Sequence, residues 1–307
     1  MGNWLSFLLE IKLYLIMNGQ KTAYFLFIGI VTFFRIIPFR VLYIISDGVY
    51  FLLYKIVGYR KSVVRKNLEY CFPEKSIREK REIERKFYKN LTDLILESLK
   101  GYTASKKVMI SKFKMTNPEL LDKYFLQGKS VIMTVGHIGN WELASATVAE
   151  HFKHYPVVLY KPLSNKYIDT YIYRQRKRFG LKLLAIFNTA AYFSKKREQP
   201  KAFYMVADQY SPSRKRKNAV FFGKKTVFLH GPETYSRKYN MPVIYIEVKK
   251  VKRGHYLATL SVLEDEPTKL KEGELTQKYA LKLEKSIKKY PDTWMWSHKR
   301  WKNENIY

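Results

Sequence analysis

From Val131 onward, short apolar runs alternate with amphipathic stretches, and that rhythm restricts the chain to an α/β architecture. Val131–Val135 (VIMTV) is apolar on both faces and bounded by Ser130 and Gly136, as a fully buried strand is. Gly136-His137-Ile138-Gly139-Asn140 reads as a turn, and Trp141–Phe152 as the helix after it. Pro156–Tyr160, Leu181–Ile186, Phe203–Ala207, Val243–Val248 and Tyr256–Val262 are further strand candidates. Val220–Phe222 and Thr226–Leu229 would pair as a hairpin across Gly223-Lys224-Lys225. Tyr167–Phe179 reads as a helix closed by Gly180, and another helix starts near Gly231-Pro232-Glu233. Leu275, Tyr279, Leu283 and Ile287 mark one face of a final lysine-rich helix. The expected fold is α/β, a mixed central sheet flanked by helices.

Upstream of this region the texture is helical. Ser76-Ile77-Arg78-Glu79 is a capping box, and Ile83, Phe87 and Leu91 continue it at helical spacing toward Gly101. Residues 1–60 differ again. Thr22–Phe34 is uncharged, and Val41–Tyr54 carries only Asp47. Each stretch is shorter than the roughly 20 residues of a spanning helix. One marginal transmembrane helix and two helices lying in the interface both fit, so residues 1–60 are expected to anchor a catalytic domain of residues 61–307. Glu10 and Lys12 argue against a cleaved signal peptide. At the other end, Thr293–Lys302 (TWMWSHKRWK) interleaves Trp with Lys and Arg, which suits either an interfacial anchor or a packed tail.

Composition narrows the partners. Lys and Arg number 57 against 26 Asp and Glu, a net charge of +31, which calls for anionic partners. The basic block Ser211–Lys217 is read as a solvated loop near anions. No nucleic-acid module is recognisable, and an apolar N-terminus has no purpose in one, so no nucleic acid is expected. The single cysteine, Cys71, excludes an internal disulfide and a Cys-based zinc site; beside Phe72 it reads as a small buried residue.

The chemistry centres on His137 and Glu142, five residues apart. Composition alone supplies about half of one such pair by chance. Context adds weight: His137 follows the carboxyl end of a buried strand, where open α/β sheets place their ligands. On a regular helix the two side chains would diverge by about 140°. They can meet only with His137 in the turn and Glu142 in the first helical turn, a path that Gly136 and Gly139 permit. A carboxylate that fixes an imidazole tautomer creates a general base. A partly buried histidine capping a helix would show the same pattern. No second His or Cys stands at ligand spacing, so no metal is expected, and no Gly-x-Ser-x-Gly nucleophile elbow occurs. His298 has no acid near it in sequence and is read as non-catalytic.

Gly136-His137-Ile138-Gly139-Asn140-Trp141-Glu142 resembles the His-x4-Asp/Glu signature of glycerolipid acyltransferases, and more narrowly the bacterial late acyltransferases of lipid A biosynthesis. Other blocks follow in order: Asn67-Leu68 with Cys71-Phe72-Pro73-Glu74, then Tyr160-Lys161-Pro162 with Arg174, Arg176 and Arg178. Ala207-Asp208-Gln209, and Phe221-Phe222-Gly223 with Gly231-Pro232, complete the set. The resemblance implies an anchor at the inner membrane, a cytoplasmic-facing site, an acyl carrier protein thioester as donor and a hydroxyl of a phosphorylated lipid A precursor as acceptor. A lysophospholipid, aminolipid or glycolipid acceptor stays open. No cofactor is implied. Carried over, His137 would be the base and Glu142 would orient it. Gly139 and Asn140 are the candidates for the oxyanion, and Arg174, Arg176 and Arg178 for phosphate or the carrier protein. Asp208 would stabilise the site or bind the sugar. The cytoplasmic leaflet adds a third anionic partner for the basic chain.

Overall fold

The computed structural model describes residues 2–195, 198–209 and 216–302. The N-terminal helices are α1 (Gly2–Ile36), α2 (Phe39–Tyr50), α3 (Lys61–Cys71), α4 (Ile77–Gly101) and α5 (Lys106–Lys112). A π-helical stretch, Phe51–Ile56, continues α2. There follow β1 (Phe113–Met115), α6 (Asp122–Leu126), β2 (Val131–Val135), α7 (Trp141–Thr147), β3 (Tyr155–Tyr160), α8 (Lys166–Lys177), β4 (Lys182–Ala185), α9 (Thr189–Phe193) and β5 (Lys201–Val206). The chain closes with β6 (Arg216–Phe221), β7 (Lys224–Leu229), α10 (Gly231–Tyr239), β8 (Val243–Lys252), β9 (His255–Glu264) and α11 (Glu274–Lys289).

Seven strands form one mixed sheet in the order β1-β9-β8-β2-β5-β3-β4. Every neighbouring pair is parallel except β8 with β9. β2 lies between β8 and β5, and all five of its residues are buried, which is why its sequence does not alternate. Helices flank the sheet, as expected. The capping box forms at the head of α4: Glu79 N–H donates to Ser76 Oγ at 3.3 Å and Ser76 N–H to Glu79 Oε2 at 2.8 Å. Such a cap contributes about 1 kcal/mol.

Two local expectations are corrected. The helix expected over Trp141–Phe152 ends at Thr147 and tightens into a 3-10 turn, Val148–Glu150. Thr147 Oγ1 donates back to the Leu143 and Ala144 carbonyls, a competition that weakens a helix at that point. The hairpin is longer than expected and turns at Phe222-Gly223, not at Gly223-Lys224-Lys225. Both turn residues have positive φ, 51° and 71°, the twist that a two-residue hairpin turn requires. Of the basic block, residues 211–215 lie outside the described residues and Arg216 and Lys217 open β6.

The N-terminal segment is tied into the body. Asn165 Nδ2 donates to the Gln20 carbonyl at 2.8 Å, and Phe27 meets Tyr171 edge-on, so α1 runs along α8. α2 packs on α4: Leu42 and Ser46 are fully buried, and Ser46 Oγ donates to Asp93 Oδ1 at 2.8 Å. Arg253, from the β8–β9 turn, spans Asp47 and Asp93. The outer face of this segment is apolar, with Phe25, Leu26, Ile30, Ile44, Phe51 and Ile56 exposed. No single helix among the described residues is long and apolar enough to cross a membrane; Phe39–Ile56 with Lys61–Cys71 would do so only as a pair bent by 85°.

Of the two readings of the C-terminal run, the packed tail is the one found. Trp294, Trp296 and Trp301 are 2%, 0% and 1% exposed, and Arg300 is fully buried with its guanidinium over Phe228. Their partners are Phe72, Phe221 and Phe222. Amphipathic residues so enclosed cannot contact lipid.

Candidate active site

The site is built where β2 and β5 end side by side. Val135 pairs with Val206, so His137 and Asp208, two residues further along each chain, arrive opposite one another. Asp208 Oδ1 stands 2.6 Å from His137 Nδ1. Asp208 Oδ2 accepts the His137 main-chain N–H and the Trp294 indole N–H, each at 2.8 Å. The carboxylate is 1% exposed and the histidine side chain 18%. Burial alone would push the Asp208 carboxyl up. The charge and hydrogen bonds of His137, with the Trp294 indole, outweigh it and hold the carboxyl down at about 2. An ionised Asp208 favours the proton on Nδ1, which leaves the Nε2 lone pair able to accept a proton. No described residue engages Nε2. The edge of Trp141 flanks the ring, with centroids 4.9 Å apart.

Glycine is required at two positions of the turn. A Cβ on Gly136 would collide with Leu283 of α11, and Gly139 has φ +62° with its missing Cβ aimed at Val248. The C-terminal tail then clamps the turn from outside. Gly139 N–H donates to the Thr293 carbonyl at 3.0 Å, and Met295 N–H to the His137 carbonyl at 3.1 Å. Asn67, from the first resemblance block, holds that tail by donating to the Trp296 and His298 carbonyls at 2.7 and 2.9 Å.

The acid five residues after the histidine has a different partner from the one expected. Glu142 Oε2 pairs with Arg176 Nη2 at 2.5 Å, and no hydrogen bond joins Glu142 to His137 among the described residues. Asn140 caps α7 by accepting from Leu143 N–H at 2.9 Å, and its amide donates to Glu97 Oε2 at 2.7 Å. Glu97 also accepts from Tyr256 and Tyr43. Burial pushes its pKa up, against the pull of those donors. Of the turn backbone expected to meet the oxyanion, the Gly139 N–H is therefore engaged by the tail, while the fully buried Asn140 side chain serves the cap.

The three arginines separate. Arg176 faces Glu142. Arg178 donates to the Gly101 and Ala104 carbonyls at 2.9 and 2.7 Å, closing the orphan end of α4, so its fork is spent on the fold rather than on phosphate. Arg174 is exposed, and its side chain has no partner among the described residues.

Two clefts adjoin the turn. One is lined by Phe87, Leu91, Leu94, Trp141 and Trp294. The other is lined by the Glu142–Arg176 pair, Glu97 and Gln175 together with Tyr102, Met109, Leu143 and Phe179. His298, set aside from sequence, lies within electrostatic reach of the pair. Burial, with the charges of Arg300, His137 and Arg60, pushes it down to about 4 against the pull of Asp208. Trp294, Glu97 and His298 are the residues that sequence reasoning missed. All three reach the turn from more than forty residues away, and no local signal marks them. Among the described residues no cluster could hold a metal ion.

A histidine steered by a buried carboxylate, at the carboxyl edge of a largely parallel sheet, makes this an α/β protein equipped for general-base chemistry. The model of the bacterial lipid A biosynthesis acyltransferase family matches residues 15–303, and the chain belongs to that family. It is thus an acyltransferase, with an acyl donor and a lipid acceptor as its substrates. The comparison with curated proteins returned no match.

Proposed function

We propose that this protein transfers a fatty acyl group from an acyl carrier protein thioester to a hydroxyl of a phosphorylated lipid A precursor, at the cytoplasmic face of the inner membrane. The observation that carries the reading is the 2.6 Å contact between His137 Nδ1 and Asp208, which directs Nε2 outward as a base. Nε2 takes the proton of the acceptor hydroxyl as that oxygen attacks the thioester carbonyl. A C–O bond forms and the C–S bond breaks. The proton held on Nε2 passes to the departing thiolate, so the base is regenerated and no acyl-enzyme forms. Apolar side chains line both clefts beside the turn, the kind of surface a hydrocarbon chain packs against. Glu142 acts through Arg176 at the rim of one cleft, and Arg174, exposed and with no side-chain partner among the described residues, is placed to meet an anion.

The exposed apolar face of α1 and α2, interrupted by Arg35, Arg40 and Lys55, supports attachment to an anionic lipid surface. Interfacial docking suits it, because the inner face of the same helices is committed to α4 and α8. The net charge of +31 suits an acidic carrier protein and a phosphorylated lipid.

The test is mass spectrometry of lipid A from cells lacking the gene, complemented by wild type or by His137→Ala. Loss of one acyl chain, restored by wild type alone, is the expected result. Unchanged lipid A with an altered phospholipid or aminolipid would overturn the acceptor assignment. Full restoration by His137→Ala would overturn the mechanism.

A further inference from the structure

We infer that Trp294 is a positioning residue for the His137–Asp208 pair, its indole N–H fixing the carboxylate that steers the base. The inference rests on the reading of His137 as that base. A carboxylate with one oxygen on an imidazole can still swing about its own axis. Here the second oxygen is pinned by two donors, the His137 main-chain N–H and the Trp294 indole, each at 2.8 Å. The first belongs to the residue being steered. The second comes from a separate element and gives the pair an outside reference.

That reference is rigid. Trp294 is 2% exposed and packs edge-on against Trp296 at 4.7 Å, with Phe221 and Trp301 beyond. Its backbone bridges Ile138, while the residues on either side bond Gly139 and His137. One short strap thus grips the turn by its main chain and the carboxylate by its side chain. Packing alone would need the ring. It would not need the N–H aimed at Asp208.

Removing the N–H has a definite consequence. The Asp208 charge becomes less dispersed and attracts a charged imidazole more strongly. Among the described residues, the other groups facing the pair are His298 from the same strap, Tyr245 of β8, Tyr279 of α11 and Trp141 of α7, with Arg300 and Arg60 acting on His298. All of them remain when only the indole N–H is lost.

The experiment compares wild type with Trp294→Phe in the full-length protein, following the histidine ring resonances by NMR titration and acyl transfer across pH. Incorporation of benzothienylalanine at position 294, which keeps the bicyclic shape without the N–H, covers the case in which Phe fails to fold. The expected result is a pH response of the His137 ring resonances that differs from wild type. The expected kcat is about tenfold lower, the worth of one hydrogen bond to a charged group, with KM retained. A folded variant whose His137 titrates as in wild type overturns the inference. The titration needs no substrate. If wild type transfers no acyl group while the His137 titration still moves, the proposed function falls and the positioning role stands.

Discussion

Arg176 Nη2 donates to Glu142 Oε2 at 2.5 Å, a half-buried ion pair that joins α8 to the first turn of α7 over an apolar cleft. Burial lowers the Arg176 pKa, but Glu142, Tyr102 and Asp169 outweigh it and raise the guanidinium pKa. The two residues should act as one unit. Glu142→Gln and Arg176→Gln should each lower kcat/KM, and the double variant should be little worse than either. Their coupling is expected at about 0.5–3 kcal/mol in a double-mutant cycle. Additive losses would mean that each touches substrate independently.

Asp208→Asn is expected to fold, because a carboxamide oxygen can still accept from Trp294 and the His137 amide. Activity should fall by about 10²–10⁴-fold, since the carboxamide no longer stabilises the imidazolium or selects the Nδ1–H tautomer. Steady-state transfer rates at fixed acyl donor check this. Near-normal turnover would remove Asp208 from the role of steering acid.

Asn140→Ala removes a helix cap and strips one donor from the buried Glu97. The expected cost is about 2–4 kcal/mol, a cap plus a buried acceptor left short. Denaturation in detergent reads it. Asn140→Asp should be at least as harmful, because it sets a second carboxylate against the first.

Acid should weaken the fold in two windows. Asp208 has a folded pKa of about 2, below the unfolded value near 3.8, so its contribution is present above the unfolded value and is lost as pH falls through the folded one. That difference corresponds to about 2–3 kcal/mol. His298, pushed down to about 4, is half-buried and neutral, and the unfolded chain binds its proton first, from about pH 6.5 downward. Stability therefore falls with pH between those two values. His298→Gln should flatten the upper window and leave the lower one. Chemical denaturation midpoints at a series of pH values measure both.

How much of this was legible in the sequence varies by element. VIMTV announced a buried strand because a parallel sheet covered on both faces needs no alternation, and its observed bounds are those expected. The Ser76–Glu79 cap was equally plain, since its partners are three residues apart. The two-residue turn at Phe222-Gly223 was displaced by one position, because a Phe with positive φ goes against local preference and is imposed by the packing of Phe221 and Phe222 on Trp301.

The sequence by itself determined the α/β alternation and the place of His137 after a buried strand, and its net charge of +31 set the expectation of anionic partners. Each depends on periodicity, neighbouring residues or summed charge, which are properties of the chain as written. Tertiary structure alone decided which acid meets the histidine. Glu142 is five residues from His137 and Asp208 is seventy-one, yet the nearer acid is turned away by the start of α7 and taken up by Arg176. The distant one is delivered by the parallel register of β2 and β5, in which Val135 stands opposite Val206. Strand order and register arise from burying the whole sheet at once, so no local pattern encodes them. The same holds for Trp294, whose run suited an interfacial anchor or a packed tail equally in sequence, and which the fold buries against Asp208.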